Sequence, residues 1–335
     1  MSVTAVEQKI NSLVVKCEQL KNELQKTIIG QDDILDQLII SLLAGGHSML
    51  EGVPGLAKTL MIRSLAQAIN LSFKRIQFTP DLMPSDIIGT EILEEDHSSG
   101  KRFFKFNKGP IFAQIILADE INRTPPKTQS ALLEAMQEFE VTYGGHTYQL
   151  DRPFFILATQ NPIEQAGTFP LPEAQLDRFL LYINIDYPEE SAERDILSGT
   201  TGSKTMEINP VLEADEIIEM QKLVRDVTIA DELIDYVNTV VRSTRPGKNS
   251  DDYVNEWVRW GAGLRAGQAM ILTAKAHAFL NGRFAVTPED LHTVAKPVLR
   301  HRILMNYKAE AEQIRSDSVT DHLLNTIKIQ KKSLI

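Results

Sequence analysis

Hydrophobic residues in the first 186 positions fall into short runs that alternate with amphipathic stretches. The runs predict five strands, at 47–51, 73–78, 114–118, 154–158 and 180–185. Residues 1–27 and 32–44 instead carry apolar positions at helical spacing, with a short turn between them. Buried strands that alternate with helices indicate a mostly parallel sheet with helices on both faces, which is an α/β fold.

Two segments interrupt this alternation, and each centres on a small-residue turn. Residues 90–108 surround Ser98-Ser99-Gly100, and residues 139–150 surround Gly144-Gly145. Alternating polar and apolar positions on either side of such turns predict β-hairpins that project from the α/β core. Ordinary surface loops are the alternative interpretation.

After Pro188 the pattern is helical, and we expect no strand in this part of the chain. The predicted helices are 190–198, 213–225, 230–243, 262–281, 288–300 and 308–330, with a long loop at 246–259. Thr287-Pro288 is typical of a helix start, because threonine caps a helix and proline suits its first turn. The predicted organisation is an N-terminal helix at 1–27, an α/β domain at 28–188 and a smaller helical domain at 189–335.

Composition and charge narrow the possible classes of protein. The 335 residues are 43 % hydrophobic and 24 % charged, an ordinary globular profile. No run of about 18 apolar residues is present, so we expect no membrane span. The single cysteine, Cys17, cannot form an internal disulfide, which favours a cytoplasmic location. A net charge of −10 argues against a nucleic-acid partner.

Residues 52–59 read Gly-Val-Pro-Gly-Leu-Ala-Lys-Thr and directly follow a predicted strand. A loop of this kind offers a nucleoside triphosphate its backbone N–H groups, a helix N-terminus, one cation and one hydroxyl. We expect Lys58 to reach the β- and γ-phosphates and Thr59 to bind Mg²⁺. Ala57 stands where the general pattern has glycine, and a plain turn before a helix is the alternative. The predicted phosphate-binding residues are Gly52, Val53, Pro54, Gly55, Leu56, Ala57, Lys58, Thr59 and Leu60.

Polar side chains end two further predicted strands. Asp119-Glu120 follows an apolar run, and Asn161 follows the next buried strand along the chain. Open α/β sheets bind ligands at the carboxyl ends of their strands. We expect Asp119 to hold Mg²⁺ through water, Glu120 to act as general base, and Asn161 to position the attacking water. Acidic surface residues and an Asn-Pro turn are the alternative interpretations.

With these motifs in order, the chain resembles the AAA+ ATPases, and within them the MoxR family. The resemblance rests on segments 51–59, 78–87, 117–123, 158–162 and 172–179, and it covers residues about 28–300. It implies a P-loop NTPase core with β-hairpin inserts, followed by an all-α lid domain. Ala57, unusual against the general pattern, looks typical of this family.

The resemblance also implies roles that the residues alone do not give. Asn161 resembles the residue called sensor 1. Arg178 resembles the arginine finger, which reaches the ATP of a neighbouring subunit, and Arg123 is a reserve candidate for a second interface arginine. Residues 28–31, including Ile29 and Gly30, resemble the segment that packs on adenine.

Arg265 resembles sensor 2, which would contact the γ-phosphate within its own chain. This match is looser than the others, since such families often show Ser-Pro-Arg where this chain has Gly-Leu-Arg at 263–265. The arginine itself is present, so the resemblance still implies the role.

The function implied by the resemblance is ATP hydrolysis with Mg²⁺ in a ring of subunits, taken as a hexamer. By this resemblance, the chain would act as a chaperone that matures or activates protein complexes, often by inserting a metal or cofactor. A von Willebrand factor A-domain protein would be its partner. The alternatives are a DNA-remodelling AAA+ motor, a magnesium-chelatase-like subunit and a non-enzymatic nucleotide-switched scaffold. A non-enzymatic scaffold would be expected to lack Glu120 or Arg178, and this sequence contains both.

Overall fold

The computed structural model describes residues 3–53, 55–95, 102–162, 167–200 and 207–329. The strands described before residue 190 are β1 (Ser48–Gly52), β2 (Phe73–Gln77), β3 (Gly89–Glu95), β4 (Arg102–Lys108), β5 (Ile115–Asp119), β6 (Glu140–Tyr143), β7 (His146–Gln149), β8 (Phe155–Gln160) and β9 (Leu181–Ile185). The helices described there are α1 (Val3–Gln25), α2 (Asp32–Leu43), α3 (Lys58–Ala68), α4 (Pro84–Ile88), α5 (Pro126–Glu138) and α6 (Glu173–Leu176).

Five of these strands form a parallel sheet in the order β2-β5-β8-β1-β9. Ser48 of β1, which lies between β8 and β9, is opposite Leu157 of β8 and Leu181 of β9. The five predicted strands and the predicted fold class are therefore confirmed. The strands begin along one side of the sheet, here called the amino edge, and end along the opposite side, the carboxyl edge. Five residues of extended chain separate the two edges by about 13 Å.

Both predicted hairpins are present as antiparallel pairs. β3 pairs with β4, and β6 pairs with β7. The ring of Phe106 stacks on Tyr148 at 4.5 Å and on Tyr143 at 5.2 Å between centroids, so the two hairpins pack on each other. The predicted turn at 98–100 lies outside the described residues.

The rest of the described chain is mainly helical. Its elements are α7 (Glu190–Thr200), α8 (Ala214–Asp226), α9 (Asp231–Ser243), α10 (Asp252–Trp257), β10 (Val258–Trp260), α11 (Leu264–Leu280), α12 (Pro288–Leu299), β11 (Leu304–Met305), α13 (Tyr307–Ala311) and α14 (Ser316–Thr326). Asp290 accepts a hydrogen bond from the main-chain nitrogen of Thr287 at 2.7 Å, so the predicted cap of α12 is confirmed.

Three expectations for this part are wrong. β10 and β11 form a short antiparallel ladder where we expected no strand, because two or three residues are too few to show a periodic pattern. The predicted loop at 246–259 contains α10. The predicted helix at 308–330 is interrupted by Gln313, whose φ of +58° lies in the left-handed region. Neither glycine nor proline marks that interruption in the sequence.

Helix α1 joins the two domains. Leu20 and Leu24 are buried in one hydrophobic core that continues from the sheet into the lid helices. The thiol of Cys17 lies 3.9 Å from the sulfur of Met220 in α8, and burial raises its pKa to about 12. The predicted N-terminal helix therefore contributes to the shared core.

The lid is attached to the outer strand of the sheet through Arg300-His301-Arg302, which follow α12. Arg300 Nη1 donates to the main-chain oxygen of Tyr182 at 2.6 Å, and Arg302 Nη2 donates to that of Phe179 at 2.7 Å. His301 Nε2 donates to the same Phe179 oxygen at 3.1 Å, because a carbonyl oxygen can only accept, and burial lowers the pKa of His301. Three consecutive side chains thus join the lid to β9 and to Phe179, two residues before that strand.

Candidate active site

The phosphate-binding loop leaves the carboxyl end of β1 and ends at α3. A Cβ atom on Gly52 would lie 2.8 Å from the main-chain oxygen of Ile185, so the close approach of β9 requires glycine there. The chain then curls through the left-handed region, with φ of +90° at Gly55 and +55° at Ala57. Pro54 lies outside the described residues. Ala57 therefore holds a conformation that glycine adopts without strain.

Lys58 begins α3 and turns its ammonium group back toward the loop. Its Nζ donates a hydrogen bond to the main-chain oxygen of Gly52. Partial burial lowers the pKa of Lys58, whereas the charges of Asp119, Glu120 and Glu51 act to raise it. The lysine and the two carboxylates that end β5 therefore lie together at the carboxyl edge.

The remaining loop residues differ in exposure. Leu56 is buried beneath α3, Val53 and Thr59 are half-buried, and Leu60 is exposed. Thr59 stands in the first turn of α3, directly after Lys58. The N-terminus of this helix therefore carries the hydroxyl and the cation that a bound triphosphate would contact.

Both oxygens of the Asp119 carboxylate accept hydrogen bonds from neighbouring strands. Thr159 Oγ1 of β8 donates to Oδ1 at 2.6 Å. Arg75 of β2 donates to Oδ2 from Nη2 at 2.5 Å and from Nε at 3.0 Å. The predicted metal-binding carboxylate is thus held from both sides of β5 by a hydroxyl and a guanidinium group.

Glu120 lies directly after β5, with a φ of +57° that turns it out of the strand. Its main-chain nitrogen donates to Thr159 Oγ1 at 2.9 Å. Its carboxylate accepts from Gln77 Nε2 at 2.9 Å and from Arg123 Nη1 at 3.1 Å. Arg123, predicted as a reserve interface arginine, therefore binds a carboxylate of its own chain.

Asn161 and the segment at 28–31, which is predicted to pack on adenine, lie at this same carboxyl edge. Asn161 is buried immediately after β8, next to the Thr159 that touches both Asp119 and Glu120. In the segment at 28–31, Ile29 is half-buried and Gly30 is exposed, and a Cβ atom on Gly30 would lie 2.4 Å from Ala192. This segment therefore packs tightly against α7.

Arg178 and Arg265 lie at the opposite, amino edge of the sheet. They line one pocket of about 270 Å³ together with His47, which immediately precedes β1. The main-chain nitrogen of Leu180 donates to the His47 oxygen at 2.7 Å, so the Arg178 segment adjoins the beginning of β1. Arg178 is exposed, and its Nη1 donates to the main-chain oxygen of Leu133 at 3.3 Å.

The position of Arg265 contradicts its predicted role within its own chain. Its Nη1 lies 3.8 Å from Oδ2 of Asp177, which precedes β9, whereas Lys58 follows the end of β1. The length of the sheet, about 13 Å, separates these two places. The lid is attached along β9 and carries Arg265 to the amino edge, which the sequence spacing does not reveal.

The donor set at the carboxyl edge fits Mg²⁺. The hydroxyl of Thr59 and the carboxylate of Asp119 supply hard oxygen atoms, and Mg²⁺ in such sites keeps waters and binds substrate phosphates besides. Among the described residues, no group of three or more His, Cys, Asp or Glu side chains could hold a metal ion. A cation here would therefore be shared between the protein and the nucleotide.

Comparison with known proteins agrees with this arrangement. Residues 47–181 match the model of the ATPase family associated with various cellular activities, and residues 252–323 match the AAA lid domain. The chain is 41 % identical over 314 residues to Chaperone MoxR1 of Mycobacterium tuberculosis, covering 93 % of this chain and 82 % of that protein. The chain belongs to the MoxR family of AAA+ ATPases.

Two further relatives match the chain to a similar extent. YeaC of Bacillus subtilis is 42 % identical over 307 residues, covering 91 % of this chain and 92 % of YeaC. A crystal structure from Cytophaga hutchinsonii superimposes with a TM-score of 0.91 at 41 % identity, and the match covers 99 % of this chain and 100 % of that one. The α/β core and its lid are thus shared with this solved structure over the whole length of the chain.

Sequence reasoning missed the polar residues of β2. Arg75 and Gln77 hold Asp119 and Glu120, and Arg75 Nη2 also donates to Gln77 Oε1 at 2.5 Å. Their spacing was the available signal, since alternate residues of a strand share a face and two polar side chains on one face need partners.

No helix among the described residues has the length and apolar character needed to cross a membrane.

Proposed function

We propose that this MoxR-family chain is an ATPase whose active site is completed by a second copy of the chain. The observation that carries the proposal is the division of charged groups between the two edges of the sheet. Lys58, Asp119 and Glu120 share the carboxyl edge, whereas Arg178 and Arg265 are exposed on the amino edge. In a ring, the amino edge of one subunit would face the nucleotide of the next.

Each residue then has a chemical role in this proposal. Lys58 and the loop N–H groups bind the phosphates, and Thr59 and Asp119 hold Mg²⁺, which neutralises phosphate charge when bound. Asn161 orients a water, and Glu120 accepts its proton. Arg178 and Arg265 of the neighbouring copy stabilise charge on the transferred phosphoryl group.

Turnover by two site variants tests the assignment. Lys58→Ala removes the phosphate-binding cation, and Glu120→Gln removes the base while keeping a side chain of the same shape. We expect each to lower ATP turnover about a hundredfold or more. Glu120→Gln should still bind ATP, because its phosphate contacts remain. Wild-type turnover in both variants would refute the site.

We further propose that the motor acts on a protein client. In the first hairpin, Arg102 pairs with Glu95 at 3.0 Å and Lys105 pairs with Glu94 at 3.0 Å, while Phe104 is 70 % exposed. The neighbouring carboxylates cancel the positive charge that would attract DNA phosphates to this hairpin, whereas an exposed aromatic ring suits an apolar polypeptide segment. Together with the net charge of −10, this favours a protein over DNA.

The finer function follows from the family. We propose a chaperone-like role in a ring of subunits, taken as a hexamer, that matures or activates a protein complex, including by metal or cofactor insertion. A von Willebrand factor A-domain protein is the expected partner, and the cytoplasm is the expected location. Trapping the client with Glu120→Gln in the presence of ATP tests this role. ATP turnover that rises sharply with added DNA would instead favour the DNA-remodelling motor, and dependence on dedicated subunits a magnesium-chelatase-like role.

A further inference from the structure

The guanidinium group of Arg75 contacts Asp119, the carboxylate that the family resemblance predicts to bind Mg²⁺. The guanidinium group donates twice to Oδ2 of Asp119, at 2.5 and 3.0 Å. The Asp119 side chain is 14 % exposed, so this contact is largely shielded from water on the carboxylate side. One oxygen of Asp119 is therefore neutralised by the chain itself.

The two partners differ in how firmly they are held. Asp119 ends a central strand, and its other oxygen accepts a hydrogen bond from Thr159. Arg75 lies on β2, an outer strand of the sheet, and its side chain is 48 % exposed. A long exposed side chain on an outer strand can swing into water at little cost, whereas the carboxylate stays in place.

We propose that Arg75 is a built-in counter-ion that competes with Mg²⁺ for Asp119. In the empty site Arg75 neutralises the carboxylate; when cation and nucleotide bind together, the guanidinium group leaves Oδ2. This inference rests on the proposed nucleotide site and concerns one residue that the family motifs do not include. Arg75 acts through Asp119 and makes no contact of its own with the nucleotide in this proposal.

The competition has a definite direction. Removing the guanidinium group takes away a competitor, so the cation should bind more tightly. A half-exposed ion pair is worth up to about 1 kcal/mol, which corresponds to a gain in affinity of about two- to fivefold. If Arg75 instead positioned Asp119 for the cation, its removal would weaken binding. The two roles therefore predict opposite signs.

The test is a Mn²⁺ titration of Arg75→Gln, with Mn²⁺ as a paramagnetic substitute that prefers the same oxygen ligands. Free Mn²⁺ is counted by electron paramagnetic resonance with the protein in excess over a non-hydrolysable ATP analogue, and the Mn²⁺ bound by the same amount of analogue without protein is measured separately and subtracted. We expect a dissociation constant two- to fivefold lower than that of the wild type. Arg75→Lys, which keeps the charge, should stay near the wild type. Arg102→Gln, which breaks the pair with Glu95 in the hairpin, is the matched control and should change nothing.

Melting temperature provides a second measurement. Without ligand, Arg75→Gln should melt below the wild type, because Asp119 loses its counter-ion. With saturating Mg²⁺ and analogue, the difference should vanish. Equal or weaker Mn²⁺ binding by Arg75→Gln would overturn the proposal while leaving the nucleotide site intact. A wild-type chain that binds no analogue at all would overturn the nucleotide site instead.

Discussion

Arg302 donates from Nε to Oδ1 of Asp177 at 2.8 Å, and the two side chains are 3 % and 33 % exposed. The arginine is thus a buried charge whose counter-ion lies beside the exposed Arg178.

We expect Asp177→Asn to lower the free energy of unfolding by about 2 to 3 kcal/mol, because a buried guanidinium group loses its charged partner. Urea unfolding measures the loss. Arg265→Gln alters a half-exposed side chain 3.8 Å from the same carboxylate and should cost less than about 0.5 kcal/mol. Equal losses would contradict the assignment.

Mixing two inactive variants tests whether the arginines act between copies. Lys58→Ala lacks a working phosphate site but keeps its arginines, whereas Arg178→Ala has the reverse defect. A mixture should regain a fraction of wild-type turnover, because the Arg178→Ala phosphate site can meet an intact arginine from its neighbour. The same recovery is expected with Arg265→Ala. Turnover that stays at the level of the separate variants would exclude action between copies.

The stability of the chain should fall in mild acid because of His47. Its ring is buried, accepts from the main-chain nitrogen of Ile156 at 3.1 Å, and donates to the main-chain oxygen of Met136 at 3.0 Å. Burial lowers its pKa from 6.5 to about 4. The unfolded chain therefore takes up the proton first, so the contribution of His47 is complete above pH 6.5 and is lost progressively as the pH falls toward 4.

The expected loss from this residue is about 2 kcal/mol between pH 7 and pH 5. Urea unfolding at the two pH values measures it. His47→Gln should shrink the difference by that amount, since glutamine does not titrate. His146→Gln changes an exposed histidine in the second hairpin and should leave the difference unchanged. An unaltered pH dependence in His47→Gln would contradict the prediction.

Ala57 should tolerate glycine but not a branched residue. Its φ of +55° costs an L-residue about 1 to 2 kcal/mol, and glycine removes that strain but makes the unfolded chain more flexible. We therefore expect Ala57→Gly to stay within about 1 kcal/mol of the wild type and to keep its nucleotide affinity. Ala57→Val should lose both stability and nucleotide binding. Calorimetric titration with an ATP analogue, alongside thermal unfolding, separates the two effects.

The parallel sheet and the carboxyl edge could be predicted from the sequence because buried strands leave continuous apolar runs. Some positions of the loop at 52–59 leave no room for a larger side chain, as Gly52 shows where it packs against Ile185. The residue type at such a position reveals the requirement directly in the sequence. The carboxylates of Asp119 and Glu120 were placed by the same reasoning, since residues that follow parallel strands meet at one edge.

The interactions that depend on packing were not predictable in this way. Nothing in the spacing of Arg265 tells which edge of the sheet the lid helices reach; that follows from the attachment of the lid along β9. Arg75 lies in a predicted buried strand, but its partner is 44 positions away. The strands β10 and β11 are short enough that tertiary contacts alone define them.

The hydrogen bonds from Arg300, His301 and Arg302 to the outer strand have a mechanical consequence. Because they hold the lid to Tyr182 of β9 and to Phe179 just before that strand, rotation of the lid would have to break these bonds or move β9 with it. A force applied to the lid would pass into β9, then across its ladder to β1, whose end is the phosphate-binding loop. Each subunit would then move as one rigid body, and the flexibility of an assembly would lie at the interfaces between copies.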